Sequence, residues 1–142
     1  MAFKINIASK DGKTFKLDSE SDAFIGLKLG ESISGKDVKS DLDGYEFTIA
    51  GASDKAGFPA YSPFEGVTLK GVLLTHGFGM KENKPKGMRK RKTVRGNTIS
   101  ADVIQINLTV KKAGSKSLAE LFPEQNKKPE PAAPTAPAAP SA

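Results

Sequence analysis

The sequence contains no cysteine and no tryptophan, and only one histidine. Without thiols the chain can form neither disulfides nor thiolate metal sites, and a reducing cytoplasm is its simplest setting. His76 alone completes none of the usual zinc ligand sets, so neither a metal nor a cofactor is expected. There is no run of about 18 apolar residues, so no membrane-spanning helix is expected. The opening MAFKINIASK alternates apolar and polar residues, whereas a secretory leader needs a continuous apolar stretch. Signatures of catalysis are missing too: there is no G-x-S-x-G elbow, no G-x-x-x-x-G-K-[ST] loop and no G-x-G-x-x-G after a strand.

What is present is basic charge, and it is concentrated. The 142 residues carry 22 Lys and Arg against 16 Asp and Glu. Residues 1–69 are net −3, residues 70–116 net +10 and residues 117–142 net −1. Charge this asymmetric points to a polyanionic partner, nucleic acid first. The densest part is KPKGMRKRKTVR, which holds Lys84, Lys86, Arg89, Lys90, Arg91, Lys92 and Arg95 and no acid. Such a run is stable only when solvated or neutralised. A phosphate backbone supplies the matching charge, and the release of its counterions drives binding. Arginine can also clamp a phosphate with two hydrogen bonds or stack on a base. The segment has no apolar face of its own, which argues against a membrane surface. Pro85, Gly87 and Gly96 argue for an irregular loop over about 80–96.

Elsewhere the period is two. Phe3, Ile5 and Ile7 share one face, and Phe15 and Leu17 share another after the Asp11-Gly12 turn signal, which predicts a β-hairpin. Ser21 or Asp22 can cap one helical turn that carries Phe24, Ile25 and Leu27, with Gly26 preventing a longer helix. A short segment surrounds Ile33; Tyr45, Phe47 and Ile49 predict a strand over 45–49, and residues 50–66 carry the Gly and Pro of a loop. Residues 67–74 read as a strand bulged at Gly71, and Ile104, Ile106, Leu108 and Val110 mark the clearest strand of all. The expectation is an all-β fold: a small antiparallel β-barrel-like domain over 1–116, in which closure removes the exposed edges. Residues 117–122 predict one apolar turn. The Pro/Ala-rich stretch that follows has too little apolar bulk to offset its ordering entropy, so a disordered tail is expected to residue 142.

The blocks DKAGFP at 54–59, LLTHGFG at 73–79 and RKRKTVRGNTIS at 89–100, with ADVIQINLTVKK at 101–112, resemble the archaeal and eukaryotic small-subunit ribosomal protein six, the "six-e" family. GLKLGESI at 26–33 and GYEFTIAG at 44–51 are looser matches to its early strands. The resemblance implies a β-barrel-like domain that binds small-subunit ribosomal RNA beside neighbouring ribosomal proteins in the cytoplasm. It implies a structural and assembly role without catalysis or a small-molecule substrate. Mapped onto this sequence, it makes the seven basic residues of 84–95 candidates for phosphate contacts, with Lys55, His76, Lys111 and Lys112 as further candidates. Phe58 either stacks on a base or fills the core. The chain departs from the family's pattern at Ala50-Gly51-Ala52, where a Gly-Gly is usual, and at Ala60, where Met often follows GFP. Eukaryotic members carry a long basic C-terminal helix ending in phosphorylated serines; the Pro/Ala tail stands in its place, so that regulatory role is not carried over, and the short form is like that of archaeal members.

Two other readings remain open on the residues alone. A DNA-binding chromatin or regulatory protein shares the electrostatics but needs an element that fits a groove, and no recognition helix is visible. An enzyme acting on a phosphorylated substrate through the His76 loop would need His76 to titrate in a pocket with defined partners.

Overall fold

A computed structural model describes residues 2–82 and 85–126. Among the described residues seven strands form: β1 (Phe3–Ala8), β2 (Thr14–Ser19), β3 (Ser32–Ser34), β4 (Glu46–Asp54), β5 (Leu69–Leu74), β6 (Lys90–Arg95) and β7 (Val103–Lys112). Two single-turn helices accompany them, α1 (Gly35–Val38) and α2 (Leu118–Leu121). The fold is thus mostly β. The tail expected beyond residue 126 lies outside the described residues.

The main sheet has five strands in the order β2-β1-β7-β4-β3, and β5 and β6 form a separate two-stranded sheet. The all-β expectation holds, and the antiparallel barrel-like arrangement is corrected on two counts. β2 and β3 remain as edges, and β1 pairs with β7 in parallel, Ile5 beside Ile106 and Ile7 beside Leu108. The first pairing is the expected hairpin, with Ile7 opposite Phe15 and Gly12 taking a positive φ in the connecting turn. The helical turn expected after β2 is a 3-10 turn, Asp22–Phe24, capped by the Ser21 hydroxyl.

Alternation puts Phe3, Ile5, Ile7, Phe15, Phe47, Ile49, Ile106, Leu108 and Val110 on one buried face. Across it lie Phe24, Leu42, Ile99 and Leu118 from the turns and loops. Phe3 meets Phe24 edge-on at 5.9 Å, and Tyr45 stacks on Phe47 at 5.6 Å. α2 closes one end. Ser117 and Glu120 form a reciprocal capping box there, and Phe122 reaches Phe15 at 5.8 Å.

β4 runs five residues beyond the 45–49 predicted from alternation, because a bulge interrupts the period. Ile49 pairs with Leu108, Gly51 with Asn107 and Ala52 with Ile106, so one extra residue is inserted between Ile49 and Gly51. Since a strand's side chains alternate, that insertion moves every later residue to the opposite face. Ala52 and Asp54 are buried as a result, where an unbroken alternation would bury Gly51 and Ser53. β5 is regular through Gly71, with no bulge there.

The two sheets meet where β6 ends. Gly96 passes so close to Gly66 that an added Cβ would lie 1.9 Å from the Gly66 carbonyl oxygen. Only backbone movement can relieve such a clash. Gly96→Ala is expected to destabilise the fold by about 2 kcal/mol or more, in the range of overpacking changes. Chemical denaturation checks this; an unchanged midpoint would contradict it.

Candidate nucleic-acid interface

The expected basic loop is a loop only in part. Lys90–Arg95 is strand β6, paired antiparallel with β5 from Leu69↔Arg95 to Leu74↔Lys90. Sequence reasoning missed this strand because its charge hid its β-branched end, Thr93-Val94. The register sets cations across from apolar residues: Arg91 from Leu73, Lys92 from Val72, Lys90 from Leu74. Long basic side chains can lay their methylene stems on such neighbours while the charged ends stay in water.

The hairpin carries most of the predicted cations. Lys86, Arg89, Lys90 and Arg91 are exposed and Lys92 is half-buried. Lys84 lies outside the described residues. Lys90 forms a surface ion pair with Glu82 at 3.2 Å; Lys86, Arg89, Arg91 and Lys92 have no acidic partner among the described residues. His76 sits exposed near the tip, where its Nε2–H donates to the Lys86 carbonyl and ties the two arms of the connection together. Phe58 is half-buried at the hairpin's side, lining a cleft of about 290 Å3 with Leu74, Lys92 and Val94.

Arg95 is put to a different use. Its side chain is 8 % exposed, and its Nε and Nη2 donate to Asp54 Oδ2 at 3.0 and 2.6 Å. Nη1 donates to the Val67 carbonyl at 2.7 Å and lies 3.6 Å from Asp102 Oδ2. The backbone joins in, with Arg95 N–H donating to the Pro59 carbonyl and Tyr61 N–H to the Arg95 carbonyl. Arg95 is therefore the root of the hairpin, not part of its exposed cation set. Lys55 belongs to the same knot, with Nζ 3.2 Å from Asp102 Oδ1. Lys111 and Lys112 are not brought to the hairpin; they end β7 at the other end of the main sheet, where Lys111 donates to Ser32 Oγ at 3.1 Å.

Asp54, the residue on which this root depends, was not singled out from sequence. Burial alone would raise its carboxyl pKa. The Arg95 hydrogen bonds and charge, helped by the amides of Lys55 and Ala56, outweigh that and hold it below the ordinary 3.8. Its Oδ1 is buried and makes no hydrogen bond of ordinary geometry.

Residues 3–123 match the family model described as Ribosomal protein S6e. The small ribosomal subunit protein eS6 of Methanococcus maripaludis strain C5 is 45% identical over 119 residues, which cover 83% of this chain and 94% of that one. The eS6 of Methanosphaera stadtmanae is 41% identical over 127 residues, covering 87% and 95%. That of Methanocaldococcus jannaschii is 41% identical over 113 residues, covering 80% and 84%.

Asp54→Asn is expected to cost about 3 kcal/mol near neutral pH. That is the low end for breaking a buried pair, because Asp102 stays beside Arg95. A depressed carboxylate pKa contributes stability that is full above the unfolded value and is lost as pH falls through the folded one. The wild type should therefore lose stability below about pH 4, and Asp54→Asn should lose less of it there. Denaturant midpoints between pH 2 and 7, on the order of one point per pH unit, would measure this; parallel curves for the two proteins would contradict it.

Proposed function

We propose a ribosomal role from one premise: the chain belongs to the ribosomal protein S6e family. It is a structural constituent of the small ribosomal subunit, binds small-subunit ribosomal RNA, supports subunit assembly and translation, and works on the cytoplasmic ribosome among neighbouring ribosomal proteins. Its role is to hold RNA in place, not to catalyse a reaction.

The observation that carries the RNA-facing part is the hairpin, where Lys86, Arg89, Arg91 and Lys92 cluster with no acidic partner among the described residues and only Lys90 is paired, with Glu82. Lys86, Arg89, Lys90, Arg91 and Lys92 are the proposed phosphate contacts, with Lys84 alongside them. Several surface acids elsewhere sit beside lysines: Glu65 beside Lys28, Asp43 beside Lys36 and Asp41 beside Lys39. The hairpin has only Glu82, so RNA phosphate is the natural counter-charge. Lys55, His76, Lys111 and Lys112 serve as secondary contacts, and the half-buried Phe58 lines the same cleft as Lys92, where it is a candidate for stacking on a base. The domain organisation that fits this reading is one RNA-binding domain through residue 116, followed by the apolar turn at 117–122.

Salt dependence tests the hairpin directly. The six hairpin contacts contribute about −4.2 to −5.4 to the slope of log affinity against log salt, from roughly −0.7 to −0.9 per contact. Arg89→Ala/Arg91→Ala/Lys92→Ala should flatten it by about two to three. A slope unaffected by the triple change would remove the hairpin from the interface, and equal affinity for arbitrary duplex DNA would favour a chromatin role instead.

A further inference from the structure

Unneutralised cations also gather at a second place on the surface. Several lysines outside the hairpin lack an acidic partner within ion-pair distance among the described residues, Lys4, Lys16, Lys111 and Lys112 included, and three such lysines, Lys10, Lys13 and Lys116, share one site. They are distant in sequence, yet the fold brings them to the rim of a single cleft of about 440 Å3. Lys10 and Lys13 flank the β1–β2 turn. Lys116 lies on the segment that joins β7 to α2.

The cleft is built, not incidental. Its interior walls are formed by Phe15, Tyr45, Val110 and Leu118, all core residues. Lys116 is held from below, because the Tyr45 hydroxyl donates to its backbone carbonyl. Gly114 passes against the Tyr45 ring so closely that a Cβ there would lie 2.7 Å from Cδ2. The capping box of Ser117 and Glu120 fixes the next residues. Among the described residues of the lining the only acid is Asp11, at hydrogen-bond distance from the Ser9 hydroxyl at 3.4 Å, which leaves an excess of positive charge.

We propose that this cleft is a second RNA site: it receives one nucleotide unit of a folded RNA, its phosphates at Lys10, Lys13 and Lys116 and its base or sugar against the apolar walls. Such a volume lies within the roughly 300–1,000 Å3 of small-ligand clefts. Apolar walls under a cationic rim match a nucleotide, which joins a flat apolar face to an anion. The site lies where β7 ends, whereas the hairpin is rooted at Asp54, which pairs with Val103 where β7 begins. Ten residues of strand separate the two ends, about 30 Å at the usual rise. One rigid sheet then holds two RNA segments at a fixed distance. This inference rests on the ribosomal reading above and extends it from one contact to two.

Hydroxyl-radical footprinting of the full chain on small-subunit ribosomal RNA from Methanococcus maripaludis tests it. The wild type should protect two separate stretches of RNA. Lys10→Ala/Lys13→Ala/Lys116→Ala should lose one stretch, keep the other, and flatten the salt slope by about two to three. Arg89→Ala/Arg91→Ala/Lys92→Ala should lose the other one. A single protected stretch, or a cleft variant whose footprint matches the wild type, would overturn the second site. If only the hairpin variant loses protection, the ribosomal reading stands without the second site. If the wild type protects nothing, both readings fall. Adenosine monophosphate provides the second arm: saturation of the cleft by the free nucleotide, with the RNA footprint unchanged, would make it a mononucleotide site and overturn the RNA assignment.

Discussion

The ion pair between Asp54 and Arg95 joins the two sheets, and the placement of the basic hairpin depends on it. A two-stranded ribbon is at best marginally stable alone, and this one carries a cluster of like charges that repel each other. Its root is therefore fastened several times over: by the buried guanidinium on Asp54 Oδ2, by the Val67 carbonyl, and by backbone hydrogen bonds to Pro59 and Tyr61. The β4 bulge makes this arrangement possible. Without the extra residue between Ile49 and Gly51, Asp54 would face outward and Arg95 would have no buried counter-charge. A one-residue irregularity in the core sheet thus decides where the cationic hairpin stands.

The surface follows a simple electrostatic division. Over the first half of the chain, some acids and lysines neutralise each other locally in exposed pairs such as Lys36 with Asp43 and Lys39 with Asp41. Exposed pairs of this kind add little stability, but they remove net charge from the faces they occupy. Unneutralised cations cluster at the hairpin and around the β7–α2 connection, while others such as Lys4 and Lys16 stand on the main sheet. In water both regions keep their counterions. Against a phosphate backbone those ions are released, and the gain is largest where no protein acid competes. The division directs binding without needing a deep pocket or a recognition helix.

Much of this was legible in the sequence, and the exceptions share a cause. β1, β2 and β7 showed as clean alternation, and Asp11-Gly12 marked the first hairpin, because those signals are local. The parallel pairing of β1 with β7 was invisible: it joins residues about a hundred positions apart, and no local period encodes it. The part of β4 beyond Ile49 was hidden because its bulge breaks the period, and glycine there read as loop. β6 was hidden because dense charge read as solvated coil, although β5 lies beside it in register. Arg95 looked like its basic neighbours, and its burial required a partner 41 residues away that alternation placed on the wrong face. The basic block and the motif spelling carried the family, whereas the choice of which cations stay free was settled only by the fold.

The central claim is that this chain is an integral part of the small ribosomal subunit, held there by unneutralised cations on a rigid β scaffold. Sedimentation of a native cell extract through a sucrose gradient, tracking this chain, tests it most directly. The account predicts that the chain travels with the small subunit and stays there in moderate salt. Finding it only at the top of the gradient, or with chromosomal DNA, would contradict that account and assign the basic hairpin to another polyanion.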